Sequence, residues 1–389
     1  MPPAGVQGRR PPLGVLVATW GPGGNLPPLL AAGQLLRARG HHVEVLASGA
    51  TRPEAERAGF TTLAYARAPD PDVRIPFERQ AEALMAVAAG VDVALDTYDR
   101  LAARRADFAV VDCMLPAAAA AAAAAGTPAA SLVHFLYGPA RRLMVHGDTS
   151  WTTDLATLNA TRGALGVAPL RGGLAAWESC ELVLVTAPRW LDVDAGFPEH
   201  VVHAGPLGVR RPSAERRSAS RPPRVLLSFS TTVMDGQLAA IRSACAAVAG
   251  TGARGVLTLG DVVPREAVDP PPDIDVREWA DHDELLPECA AVVTHAGLGT
   301  TLRALAHGLP LVMLPFGRDQ HVNAARVAEL GAGVRLPADA APDEIRAALT
   351  TVLTEARFAS SAGRLAERLA ADRADRHAAD ALERAARQS

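Results

Sequence analysis

The chain alternates short apolar runs with helix-length segments, and it does so twice, with a single break between the two series. That pattern calls for parallel strands covered by helices on both faces. GVLVAT (14–19) reads as a buried strand, LLAAGQLLRARG (29–40) as a helix stopped by Gly40, and HVEVLAS (42–48) as the next strand. FAVVD (108–112) is a later strand, followed by an alanine helix over 117–125, a Gly126-Thr127-Pro128 turn, AASLVHF, and a further strand beginning VLVTA (183–187). The break is GPLGVRRPSAERRSASRPPR (205–224), rich in Pro, Ser and Arg and without periodicity, which marks a linker. The alternation restarts with VLLSFS (225–230), a helix from Asp235 to Val248, GVLTLG (255–260), IDVREW (274–279), AVVTH (291–295), a helix over 300–307 and LVMLP (311–315). Residues 341–388 read as helix throughout, a tail able to close over both series.

At 389 residues the chain exceeds the roughly 250–300 at which one core stops growing, so two domains follow. The expected fold class is α/β, with two doubly wound Rossmann-like domains in series. The boundaries are 1–205, a linker over 206–223, 224–370, and a C-terminal helix over 371–389 packing back on the N-terminal domain.

Composition excludes several classes. All 39 basic residues are Arg, the net charge is −3, and no basic stripe interleaves with aromatics, which argues against nucleic acid as a partner. Cys113, Cys180, Cys245 and Cys289 match neither a metal spacing nor a disulfide framework and read as small buried hydrophobes. GVLVATW is too short for a secretory h-region, and Ala117 to Ala125 falls well below the ~20 residues that span a bilayer. A cytoplasmic protein, monomeric or homodimeric and without a membrane partner, is expected.

In open parallel sheets ligands sit beyond the carboxyl ends of the strands, where helix N-termini gather. Strand AVVTH ends at His295, and Ala296-Gly297-Leu298-Gly299-Thr300 turns into a helix. Free N–H groups and the helix dipole there suit an anion, the glycines let a phosphate approach the backbone, and His295 and Thr300 add donors. An ordinary strand-to-helix turn would look the same. Ser230, Thr231 and Thr232 crowd the exit of VLLSFS and favour a second phosphate, or simply cap the next helix. Trp279 closes another strand, where a flat aromatic can stack on a base or fill a core. Asp319-Gln320 follows LVMLP and suits adjacent sugar hydroxyls, or helix capping.

WADH (279–282), DELLP, THAGLGTT (294–301), GLPLVMLP and GRDQHVNAARV occur in the order and spacing of a known signature. It resembles the donor-binding region of the family-1 nucleotide-sugar glycosyltransferases, which include bacterial natural-product enzymes. A looser likeness in the first strand and RARGHHV extends it over the whole chain. The resemblance implies two domains facing across a cleft, the glycosyltransferase-B fold, with donor held by the C-terminal half and acceptor by the N-terminal half. By that likeness Trp279 stacks on the base with His282 beside it. His295, Gly297, Gly299 and Thr300 take the diphosphate with the Ser230 to Thr232 turn, and Asp319 and Gln320 hold the sugar. No metal and no cofactor are implied, only a dTDP- or UDP-sugar as co-substrate.

The pattern breaks in three places. Family members usually carry a base histidine in the loop after the first strand, where this chain has Asn25, and an amide cannot take a proton. The usual partner of that histidine is an aspartate at the end of FAVVD, matched by Asp112. Asp112 acting as base with Asn25 orienting the acceptor is the preferred solution, with His134 or His146 as substitutes, or an acceptor needing little activation. Asp281 stands where Pro is common, and Arg303 stands where plant members have a ribose-binding Glu, which tilts the donor toward a deoxyribose such as dTDP. For the acceptor, Phe135, Tyr137, Trp151 and Met144 make an apolar wall if they face inward, with His134 beside them, fitting a hydrophobic secondary metabolite such as a polyketide. The reading is therefore an inverting glycosyltransferase. The alternatives are a nucleotide-sugar epimerase and a non-catalytic sugar-nucleotide-binding protein. A dinucleotide oxidoreductase is disfavoured because Ala47 and Ser48 end the second strand where an acid is needed.

Overall fold

A computed structural model describes residues 11–388 except 22, 71–83, 85–86, 146–153, 194–195, 211–221 and 261. Thirteen strands form two wholly parallel sheets among the described residues. The first holds β1 (Gly14–Ala18), β2 (His42–Ala47), β3 (Thr61–Ala64), β4 (Phe108–Asp112), β5 (Ala129–Val133), β6 (Leu182–Val185) and β7 (Val201–His203), in the order β3-β2-β1-β4-β5-β6-β7. The second holds β8 (Arg224–Ser228), β9 (Arg254–Thr258), β10 (Ile274–Arg277), β11 (Cys289–Thr294), β12 (Leu311–Met313) and β13 (Gly333–Arg335), in the order β10-β9-β8-β11-β12-β13. In each the strand order reverses beside the first strand of the series, at β1/β4 and at β8/β11, and ligands gather at such switch points.

The central strands are buried on both faces, which is why they read as apolar runs without alternation. The first helix, Leu26–Ala38, begins three residues earlier than its apolar pattern shows, because Pro27 and Pro28 occupy its first turn, where a missing N–H is harmless. The Pro116–Ala125 helix is buried along Ala117 to Ala122 and packs against Val91–Arg104, and its methyl side chains allow close approach. Gly126 stops it in a left-handed conformation, φ 64°.

The tail is three helices, not one. Pro342–Thr354 packs on the second sheet and Ala356–Ala371 on Leu298–Ala306. Ala374–Ala385 crosses to the first unit, where Ala378, Ala381 and Leu382 join Leu29, Leu36 and Leu182 in one core. Arg39 pairs there with Asp380 and Glu383. The units also meet where Arg326 donates to the carbonyls of Trp190 and Leu191, each at 3.2 Å, and Trp190 Nε1 donates to Asp372 at 2.9 Å. Much of the 206–223 linker lies outside the described residues. No helix among the described residues is long and apolar enough to cross a membrane.

Candidate active site

The C-terminal lip is built from the ends of β8, β10, β11 and β12. Beyond β11, Ala296 is held at φ 66°, a conformation rare for a residue with a side chain, and Gly297 caps the Leu298–Ala306 helix. A Cβ on Gly297 would stand 2.5 Å from His295 Nε2, so only glycine lets the imidazole lie across the helix N-terminus. Burial pushes the pKa of His295 down to about 4, with Arg318 and His282 adding to the effect. Its ring is therefore neutral at pH 7. Gly299 is exposed and Thr300 half-buried on the same turn.

Beyond β8, Ser230 is buried and bonds to Thr232 through their hydroxyls at 2.9 Å, and its Oγ accepts from the Thr232 N–H at 3.1 Å. Thr231 is exposed. Beyond β10, Trp279 is 70% exposed, a large apolar face in water at a strand end. His282 has its Nε2 3.4 Å from Ser228 Oγ and 3.3 Å from Thr258 Oγ1. Burial, helped by Arg303, pushes its pKa to about 4.

Beyond β12, Arg318 takes φ 55° and Asp319 precedes the Gln320–Glu329 helix. Burial raises the Asp319 pKa against the opposing pull of Asn323, whose Nδ2 donates to Oδ2 at 2.8 Å. Gln320 is buried, its Oε1 accepting from Phe316 N at 2.8 Å and Gly317 N at 3.2 Å, so its carbonyl end fixes the loop. Arg303 is not a loose surface group: its Nε lies 3.7 Å from Asp283.

The N-terminal lip is built from the ends of β1, β4 and β5, adjacent in the sheet though far apart in the chain. Asn25 makes no helix cap; its Nδ2 donates to Asp112 Oδ2 at 2.6 Å and to Gly21 O at 3.0 Å. Asp112 Oδ1 accepts from Met114 N at 2.9 Å and lies 3.4 Å from His134 Nε2. Ligand atoms of Asp112, Cys113 and His134 lie within 4.8 Å of one another. The Gln320–Glu329 helix that starts beyond β12 meets the N-terminal unit directly, Arg326 donating to the carbonyls of Leu191 and Trp190.

Three residues expected on the acceptor wall fall elsewhere or outside the description. Phe135 is 4% exposed and packs on Trp177, ring centroids 5.4 Å apart. Tyr137 is fully buried, and its hydroxyl donates to Glu178. The reason is their packing: both join Val133 and Trp177 in one core cluster, where aromatic area is worth most. Trp151 and His146 lie outside the described residues. The four cysteines are free and buried. The sequence did not single out Asn323, which donates to Asp319 and to the Ala296 carbonyl at 3.0 Å and so ties the loops after β11 and β12 together. Its place in GRDQHVNAARV, one helical turn after Asp319, was the signal available.

Comparison with known proteins accords with this geometry. Residues 244–384 match the family described as "Erythromycin biosynthesis protein CIII-like, C-terminal domain". The chain is similar to bacterial natural-product glycosyltransferases. It is 38% identical to the elloramycin glycosyltransferase of Streptomyces olivaceus over 151 residues, 38% of this chain and 37% of that protein. The chain thus covers about a third of the length of the first curated relatives it matches. It is 27% identical to the O-mycaminosyltylonolide 6-deoxyallosyltransferase of Streptomyces fradiae over 92% of this chain and 94% of that one. The structure of the glycosyltransferase VinC in complex with dTDP superposes with a TM-score of 0.71 at 21% identity, covering 96% of this chain and all of VinC. The glycosyltransferase-B architecture is therefore common to both, whatever each binds.

Proposed function

We propose that the protein is an inverting glycosyltransferase moving a sugar from a dTDP- or UDP-sugar to an apolar small-molecule natural product such as a polyketide. The observation that carries this reading is the set of groups on the two lips. One offers an exposed aromatic at Trp279, a helix N-terminus at Gly297, neutral imidazoles at His282 and His295, hydroxyls at Ser230, Thr231, Thr232 and Thr300, and the Asp319-Gln320 pair. The other offers proton-handling groups at Asp112 and His134. An aromatic shelf, then an anion site, then paired sugar-hydroxyl partners is the order of parts along a nucleotide diphosphate sugar. We assign residues 1–205 to acceptor, 224–370 to donor, 206–223 to the linker, and 371–389 to a helical strap. Catalysis needs no metal in this reading, because N–H dipoles and neutral histidines stabilise charge on the departing diphosphate, and lip closure orients the reactants. Arg303 in place of a ribose-binding Glu favours a deoxyribose, and the dTDP complex of VinC is in keeping with that.

Thermal-shift titration with dTDP, UDP and NAD tests the reading, since a ligand bound only by the folded state raises Tm. Stabilisation by dTDP above UDP, and none by NAD, is expected. Stabilisation by neither dTDP nor UDP would discard the proposal.

A further inference from the structure

An inverting displacement needs a group to take the acceptor's proton, and the loop after β1 offers only the amide of Asn25. Asp112 is poorly placed for the task. Its Oδ2 is occupied by Asn25, its Oδ1 by the Met114 N–H, and its side chain is 1% exposed. His134 ends the neighbouring strand with 17% of its side chain accessible and Nε2 3.4 Å from that same carboxylate. The edge of Phe135 fixes the ring, centroids 5.2 Å apart and planes at 82°. His134 also lies within electrostatic reach of Asp319, on the lip that holds the sugar in our reading.

We propose that His134 is the general base of the transfer, with Asp112 orienting its ring and Asn25 locking the Asp112 carboxylate. This rests on the glycosyltransferase reading. In the reacting state Nε2–H closes on Asp112 from its 3.4 Å contact, and the Nδ1 lone pair takes the proton. The acceptor oxygen forms its bond to the anomeric carbon as the bond from that carbon to the diphosphate oxygen breaks, its electron pair leaving with the diphosphate. The acceptor's proton passes to Nδ1, Asp112 stabilises the resulting imidazolium, and solvent takes the proton after product leaves. The sequence thus keeps a histidine-carboxylate pair but moves the histidine from the β1 loop to the end of β5.

Asp112 and Cys113 from the end of β4 lie beside this imidazole, and Asp319 is within its electrostatic reach. Burial opposes its charge, but Cys113 and Asp112 outweigh burial and hold its pKa well above 6.5. The ring accepts a proton only once deprotonated, so turnover should rise with pH along a limb above 6.5.

The test measures kcat/KM for full-length protein with a dTDP- or UDP-sugar and two acceptor probes, an aliphatic alcohol and an acidic nitrophenol. His134→Gln should cut the alcohol reaction about 100-fold or more, the nitrophenol reaction less than tenfold, and should abolish the acid limb. Calorimetric affinity for dTDP should stay within a factor of about two, which separates loss of a base from loss of fold. Adding Asn25→His to His134→Gln should restore part of the alcohol rate by putting an imidazole beside Asp112. Equal losses with both probes, or a wild-type pH profile in His134→Gln, would overturn the assignment. So would activity abolished by EDTA and restored by Zn²⁺, which would make Asp112, Cys113 and His134 a metal site. Wild-type protein that binds dTDP and UDP but turns over neither sugar would overturn the base while leaving the donor site. Protein that binds neither nucleotide would sink the whole reading.

Discussion

The two lips of the cleft use the same side chain in opposite ways. On the C-terminal lip, His282 and His295 are desolvated among hydroxyls and backbone, with Arg303 and Arg318 adding to the effect, and their pKa values fall to about 4. On the N-terminal lip, His134 is also desolvated, but Cys113 and the carboxylate of Asp112 reverse the shift. Burial alone penalises a cation, and a neighbouring anion decides whether the penalty is overcome. A neutral imidazole can donate one hydrogen bond to a diphosphate without exchanging protons. An imidazole paired with a carboxylate is poised to exchange one. In the proposed reading the difference separates a binding surface from a reacting one.

Breaking the anion site should have the largest effect. Gly297→Val places a side chain 2.5 Å from His295 Nε2, displacing the imidazole, and should weaken dTDP or UDP binding by 100-fold or more, about 2.7 kcal/mol, by calorimetry. Retained affinity would mean that the Gly297 turn does not hold the diphosphate. Next comes acid stability. Because His282 and His295 titrate near 4 when folded and near 6.5 when unfolded, the unfolded chain binds more protons in that window. Stability should therefore fall as pH drops from about 6.5 to 4, by up to about 3 kcal/mol for each histidine. Denaturant melts of His295→Gln across that range should show a shallower loss; an unchanged slope would place the titration elsewhere.

Trp279→Ala should cost about 1–2 kcal/mol in nucleotide affinity, roughly five- to thirtyfold, with Tm unchanged because the ring is 70% exposed. A fall in Tm without a loss of affinity would make Trp279 a packing residue. The smallest effect concerns base choice: Arg303→Glu should narrow the preference for dTDP over UDP by a few-fold in competition binding. If the ratio is unmoved, that position does not read the ribose.

The C-terminal lip was largely legible in the sequence because its parts come from one short stretch, Trp279 to Gln320, with Ser230 to Thr232 alone supplied from outside it. Each strand end there leads directly into its own helix. The central strands were legible for a similar reason, since burial on both faces leaves an unbroken apolar run. The edge strands β3, β7 and β13 were missed because three or four residues carry no usable period. The helices Arg52–Arg57 and Val91–Arg104 were missed as well. The tail was read as continuous because its two breaks, at Glu355 and at Arg373 with φ 48°, carry neither Gly nor Pro.

The sequence by itself determined the doubly wound class, the two series of strands, and which side chains stand at the strand ends of the C-terminal lip, since local periodicity and strand-end composition encode all three. Tertiary structure alone decided which groups meet on the other lip. Asn25, Asp112 and His134 are distant in the chain, and only the order β1-β4-β5 sets their strand ends side by side. It also decided that Phe135 and Tyr137 fill the core while His134, one residue before Phe135, stays partly exposed beside Asp112. Residue type cannot settle such a choice, because the free energy of an aromatic or a histidine depends on what the fold packs against it.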